Sequence, residues 1–171
     1  MADDKFMHLE KYQSEFEKHL GAVDQLGQVI LKGHLIIESA VDNIINLILF
    51  HPEHIQDAQL SFKSKVQLAR GLALRKNKIS IWNLVLSVNA VRNEVAHNLL
   101  GETPSRKLDQ LRRLYLAELP AELREKQKAA PDHVIAMSAC MMCTGFLGTL
   151  EHDTKRLREY IDGLDAVLNP G

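Results

Sequence analysis

Aromatic residues are scarce in this 171-residue chain, which has five Phe, three Tyr and one Trp. Most fall within helical apolar patterns, leaving no platform on which the bases of a single strand would stack. Cysteine is scarcer still. Cys140 and Cys143 are too few for a disulfide framework. They have the spacing of half a zinc site, but no second pair or fitting Cys/His set follows to complete about four ligands. Buried free thiols are the expectation, and neither metal nor cofactor is implied. An excess of one charge is also missing. Lys and Arg total 21 against 22 Asp and Glu, for a formal net charge of −1. A bulk nucleic-acid coat needs a strong basic excess and is excluded; a small basic site is not. There is no Gly-rich phosphate loop, no serine nucleophile motif and no dinucleotide fingerprint.

The opening MADDKFMHLEKYQ has neither an apolar centre nor a cleavage signature, so no signal peptide is expected. The hydrophobic run VILKGHLIIESAVDNIINLILF carries Lys32, His34, Glu38 and Asp42, which are costly in a bilayer. It is expected to be a buried helix of a cytoplasmic protein with no membrane contact.

What is present is helical periodicity, punctuated by five prolines. No strand-like alternation bounded by hairpin signals occurs. The pattern predicts helices over about Lys5 to Leu20 and Asp24 to Phe50, the second weakened at Gly27 and Gly33. Ser61 is expected to cap a third helix reaching Leu74, because its hydroxyl can accept from a first-turn amide. Ser80 is expected to cap a fourth from Ile81 to about Asn98, with Gly101 at its exit. Thr103 and Pro104 suit a helix start. A short helix follows in LPAELREKQK, and a long one runs from near Pro131 toward Leu168. The fold class is all-α, a multi-helix up-and-down bundle in one domain.

VRNEVAHNLL, residues 91–100, reads unlike its surroundings. At 100° per residue, Ile81, Leu84, Val85, Val88, Val95 and Leu99 form one apolar stripe, and Arg92 falls inside it. A cation there needs a carboxylate, a phosphate or a wet interface, because burying it alone is costly. Asn89, Asn93 and His97, spaced by four, form an adjacent polar row. His97 lies in the last turn, where the helix dipole favours its protonated form. A histidine beside a fixed guanidinium suits a phosphodiester: one moves protons while the other holds phosphoryl charge. The plainer reading pairs Arg92 with a buried acid and leaves His97 to cap carbonyls. The preceding long helix carries a second anomaly, His34 and Glu38 one turn apart beside an Ile/Val stripe. Glu38 is the carboxylate expected nearest Arg92 or His97, either as a core ion pair or as an acid that orients the histidine.

RNEVAH at a helix end resembles the Arg-polar-x-x-x-His signature of the HEPN domain family. GHLIIESAVDNII and LSFKSKVQLARGLAL are similar to other parts of such bundles, and the likeness spans about residues 25–100, with a helical extension over 103–168. The resemblance implies a metal-independent endoribonuclease, toxin or defence-type, acting on RNA as a homodimer, with a cognate antitoxin or regulatory protein as a further partner. Arg92 would hold the scissile phosphate, Asn93 would be its polar neighbour and His97 the general acid/base. Attack by a 2′-hydroxyl would leave a cyclic phosphate. Glu38 would support the site, with His34 and Asn89 as binding residues. Leu99 stands where some toxin members carry a tyrosine, so the nucleotidylated-tyrosine control of those members is not implied. The SFKSK context is also similar to mannitol-operon repressor bundles, which gives a second implication: a non-catalytic nucleotide- or protein-binding regulatory module.

Two further features read plainly. His51 and His54 flank Pro52 and Glu53 in a loop that is expected to be solvated. Between Arg106 and Lys128 lie seven basic and four acidic residues, among them Arg106, Lys107, Arg112 and Arg113. Such a run is ordinarily a solvated helix face, although RNA backbone could use it.

Overall fold

The computed structural model describes residues 25–56, 58–97 and 105–169. The helix expected over Lys5 to Leu20, the Gly101 exit and the Thr103–Pro104 start lie outside them. The described elements are α1 (Gln25–Ile48), α2 (Glu53–Gln56), α3 (Phe62–Leu72), a 3-10 turn (Leu74–Lys76), α4 (Ile81–His97), α5 (Ser105–Glu118), α6 (Ala121–Gln127) and α7 (Asp132–Leu168). No strand occurs among them, and the chain is an all-α bundle.

Pairings between distant residues set the helix directions. Gly33 of α1 abuts Cys140 of α7, and sixteen residues further along α1 the Leu49 carbonyl accepts from Arg158 Nη1 at 3.2 Å. The two helices therefore run parallel, and their packing is the most extensive among the described elements. Trp82, at the start of α4, stands edge-on to Phe146 with ring centroids 5.1 Å apart. Asn89, two turns on, bonds back to His34, so α4 runs antiparallel to both. α5 turns up again. α6 folds back on it, as Arg124 donates from Nε to the Leu116 carbonyl at 2.9 Å and from Nη2 to the Leu119 carbonyl at 3.0 Å. Arg112 then ties α5 to the start of α7 through the Ala130 carbonyl and Asp132.

Burial follows the apolar periods. Ile30, Ile37, Val41 and Ile44 of α1 meet Ile135, Ala139, Cys143 and Leu147 of α7 in one core cluster. α4 departs from the single-stripe expectation. Trp82 and Val91, outside that stripe, are fully buried, whereas Ile81 and Val95 are half-buried. The reason is position: α4 packs against α1, α3, α5 and α7, so neighbours cover it from several sides and one-sided periodicity fails.

Local signals acted as the residues suggest, with two differences. Ser61 Oγ accepts from the Ser64 amide at 3.2 Å and starts α3. The Ser80 side chain makes no such bond among the described residues; its carbonyl takes the Asn83 amide at 2.8 Å instead. Gly33 is no mere weak point. A Cβ there would fall 2.5 Å from Cys140 Sγ and 3.0 Å from Cys140 Cβ, so the missing side chain lets α1 and α7 approach.

α7 is long and apolar enough to cross a membrane by length and composition alone, with mean hydropathy 1.5 over its most apolar 18-residue window. Of that window, 39% is buried within the fold. The charge-bearing run of α1 does not meet the same measure among the described residues. A stretch free of Asp, Glu, Lys and Arg, residues 133–150, sets α7 apart.

Candidate functional site

The sequence candidates converge where α1, α3 and α4 cross. α1 presents His34 and Glu38 on one face because they are four residues apart, and α4 presents Asn89 and Arg92, three apart, in the same way. His34 is only 3% exposed. Its Nε2–H donates to Asn89 Oδ1 at 3.0 Å, joining residues 55 apart in sequence. Its ring lies 4.5 Å, centroid to centroid, from Phe62 of α3, at 45°. Nδ1 faces Glu38 Oε2 at 3.8 Å, too long for a hydrogen bond.

Burial disfavours the charged imidazolium and lowers the His34 pKa from 6.5. The Asn89 bond and the Glu38 charge pull upward, and the Arg92 charge adds a further downward push. Desolvation is the largest of these effects, so His34 is a neutral, Asn-anchored imidazole near neutral pH.

Glu38 does not pair with Arg92. Its Oε1 accepts from Lys65 Nζ at 3.1 Å, and the same ammonium reaches Asp42 Oδ2 at 2.8 Å. The Asp42 bond is the first cause holding Lys65 above its ordinary pKa. The correction has a plain cause. Lys65 is the fourth residue of α3, one turn past the Ser61 cap, and α3 lies along the Glu38–Asp42 edge of α1. Two carboxylates one turn apart capture the nearest ammonium.

Arg92 is half-buried, and its Nη1 donates to Asn93 Oδ1 at 3.1 Å. No carboxylate lies within ion-pair distance of it among the described residues. The structure thus gathers His34, Asn89 and Glu38, with Arg92 close enough to His34 to influence it and Asn93 bonded to Arg92. His97 is the last residue of α4; its side chain, and Leu99 beyond it, lie outside what is described.

Three residues that sequence reasoning passed over belong to this neighbourhood. Lys65 and Phe62 lay inside SFKSK, where only a likeness was noted. Glu94 lay inside RNEVAH itself, one turn before His97. Its Oε2 is shielded from solvent and has no hydrogen-bond partner among the described residues. A shielded carboxylate oxygen normally finds a donor, so this one calls for a group from outside the described chain.

The other candidates stay apart. Cys140 and Cys143 are free and buried. Burial pushes the Cys140 thiol up to about 11 and the Cys143 thiol higher still. His51 and His54 are exposed, with His51 Nδ1 3.1 Å from Glu53 Oε1. No group of three or more His, Cys, Asp or Glu side chains suited to a metal ion occurs among the described residues. Arg112 is drawn into structural bonds to the Lys128 and Ala130 carbonyls and to Asp132.

Comparison of the chain with family models, curated proteins and solved structures finds no match in any of the three.

Proposed function

We propose that this chain is a HEPN-like, metal-independent endoribonuclease that works as a homodimer in the cytoplasm, with toxin or defence-type activity. The observation that carries the reading is Arg92. It is a half-buried guanidinium that is oriented by Asn93 and not neutralised by any carboxylate among the described residues. A fixed, uncompensated cation at the His97 end of α4 is what a scissile phosphodiester needs. In this reading Arg92 holds the phosphoryl oxygens and Asn93 fixes the guanidinium. His97 exchanges the proton with the 2′-hydroxyl or the leaving oxygen, and two copies of the α4 end face one RNA strand. Behind that surface the buried His34 and its Asn89 bond brace α4 against α1, and the partly solvated Lys65–Glu38 pair ties α3 to α1.

The test is incubation of the purified protein with a structured RNA in excess EDTA, beside Arg92→Ala and His97→Ala variants. Cleavage by the wild type alone, with products ending in a cyclic phosphate, is expected. An inert wild type, or cleavage that survives His97→Ala, would overturn the assignment.

Glu94 favours a second reading. Among the described residues its shielded oxygen lacks a donor while Arg92, on the same stretch of α4, lacks a carboxylate. A protein partner supplying both would make this end of α4 a docking face, and the chain a non-catalytic regulatory module. In that case Arg92→Ala and Glu94→Gln would each release the partner, and RNA would be left intact.

A further inference from the structure

At the other end of the bundle, about 21 Å along α1 from His34 at 1.5 Å per residue, a hollow of about 450 Å³ opens between the end of α1, the 3-10 turn and α7. Its size falls in the range of small-molecule sites. Ile48, Leu72, Ala73, Leu150 and Leu157 form its apolar walls. The polar groups along those walls are already engaged. Thr154 Oγ1 donates to the Leu150 carbonyl at 2.7 Å, the Ala73 carbonyl accepts the Lys76 amide at 2.9 Å, and the Lys76 carbonyl accepts Trp82 Nε1 at 2.9 Å. With those groups satisfied, the interior suits hydrocarbon.

The lip is different. Leu74 is held in the left-handed region at φ 48°, where leucine is strained, and it is 71% exposed. A strained, water-facing leucine beside an apolar hollow gains if a ligand covers it. The one carboxylate on the rim, Asp153, is tied to Lys76 at 2.5 Å. Arg75 on the lip, and Arg156 in a shallow hollow that continues past Asp153 and Leu157, form no hydrogen bond or ion pair among the described residues. Arg156 acts on Asp153 through its charge alone. An apolar interior with Arg75 on its lip and Arg156 in the adjoining hollow, both without a hydrogen-bonded partner among the described residues, is thus complementary to one kind of occupant.

We propose that this hollow takes the alkyl chain of a single-chain amphipathic carboxylate, a fatty-acid-like anion, with its head group at the Arg75–Arg156 rim and Leu74 folded over the chain. The site is separate from the Arg92 end of α4 and does not depend on what happens there.

The experiment is calorimetric titration of the full chain with dodecanoate, dodecanol and dodecyltrimethylammonium, each below its aggregation concentration. Dodecanoate is expected to bind at one site per chain, about fivefold or more tighter than the cationic analogue, as one partly exposed ion contact allows. The paired substitution Arg75→Glu and Arg156→Glu should invert the ranking, and Leu157→Glu should remove dodecanoate binding while the circular dichroism spectrum is kept. The wild-type ranking alone decides the head-group assignment should the Leu157 variant fail to fold. No saturable binding, equal binding of the carboxylate and the cation or alcohol, or a ranking unmoved by the paired substitution would overturn the proposal.

Discussion

The imidazole of His34 is tied to the amide of Asn89 at 3.0 Å, and with that bond α1 is fastened to α4 inside the core. The partner ring nitrogen has only a carboxylate oxygen at 3.8 Å, and the site is closed to solvent. Protonation therefore places a charge where solvation is poor.

The pH dependence follows with a definite sign. Because the folded-state pKa of His34 lies below 6.5, the unfolded chain binds the extra proton between the two values. Stability from this group is complete above about 6.5 and is lost as pH falls from there toward the folded value. The slope is at most about 1.4 kcal/mol per pH unit. Thermal melts from pH 7.5 to 5 should show the fall, and His34→Gln should flatten it. A variant with the wild-type slope would show that other groups carry the effect.

Gly33→Ala tests the seam of α1 and α7. Alanine gains about 1 kcal/mol of helix propensity over glycine, but overpacking against Cys140 costs about 1–3 kcal/mol. Net destabilisation is expected in urea unfolding. In a Cys140→Ala background the sulfur at 2.5 Å is gone and only the 3.0 Å approach to Cβ remains, so the same substitution should cost clearly less. Additive effects in the two backgrounds would contradict the contact.

Lys65→Met leaves Glu38 and Asp42 facing each other without their shared ammonium. The groups are partly solvated, so the expected loss is about 1 kcal/mol and not the several expected of a buried pair. High salt should shrink the difference between variant and wild type, because screening weakens both the attraction that is lost and the repulsion left behind.

The two thiols should be silent in the native protein. With Cys140 pushed up to about 11 and Cys143 higher, the reactive thiolate is rare at pH 8. An aromatic disulfide reagent should label neither quickly in buffer and both promptly in guanidinium. Rapid native labelling would mean that the α1–α7 seam opens readily.

Much of the fold was legible because its causes are local. The Ser61 cap, the proline boundaries before α6 and α7, and the apolar period of α1 each depend on residues a turn or two away. What escaped was set by neighbours distant in sequence. Nothing near Gly33 announces Cys140, and nothing near Glu38 announces Lys65, so one looked like a flaw and the other like a partner for Arg92. α4 misled for a related reason. A helix covered from several sides has no single wet face, and its period ceases to report which residues are inside. In the candidate site, His34, Glu38, Asn89, Arg92 and Asn93 were legible as candidates, but Phe62, Lys65 and Glu94 and all the pairings were not, because pairing depends on the relative placement of three helices.

The parallel seam of α1 and α7 also has a consequence in time. Leu49 meets Arg158, 109 residues later, so the apolar side of α1 leaves the ribosome long before its cover exists. At ordinary elongation rates the wait is roughly 5–20 s. Through that interval the isoleucine row of α1 is available to chaperones, or to the α1 of another nascent chain. The speed of synthesis, and not only the finished contacts, thus bears on how much of this protein reaches its native state.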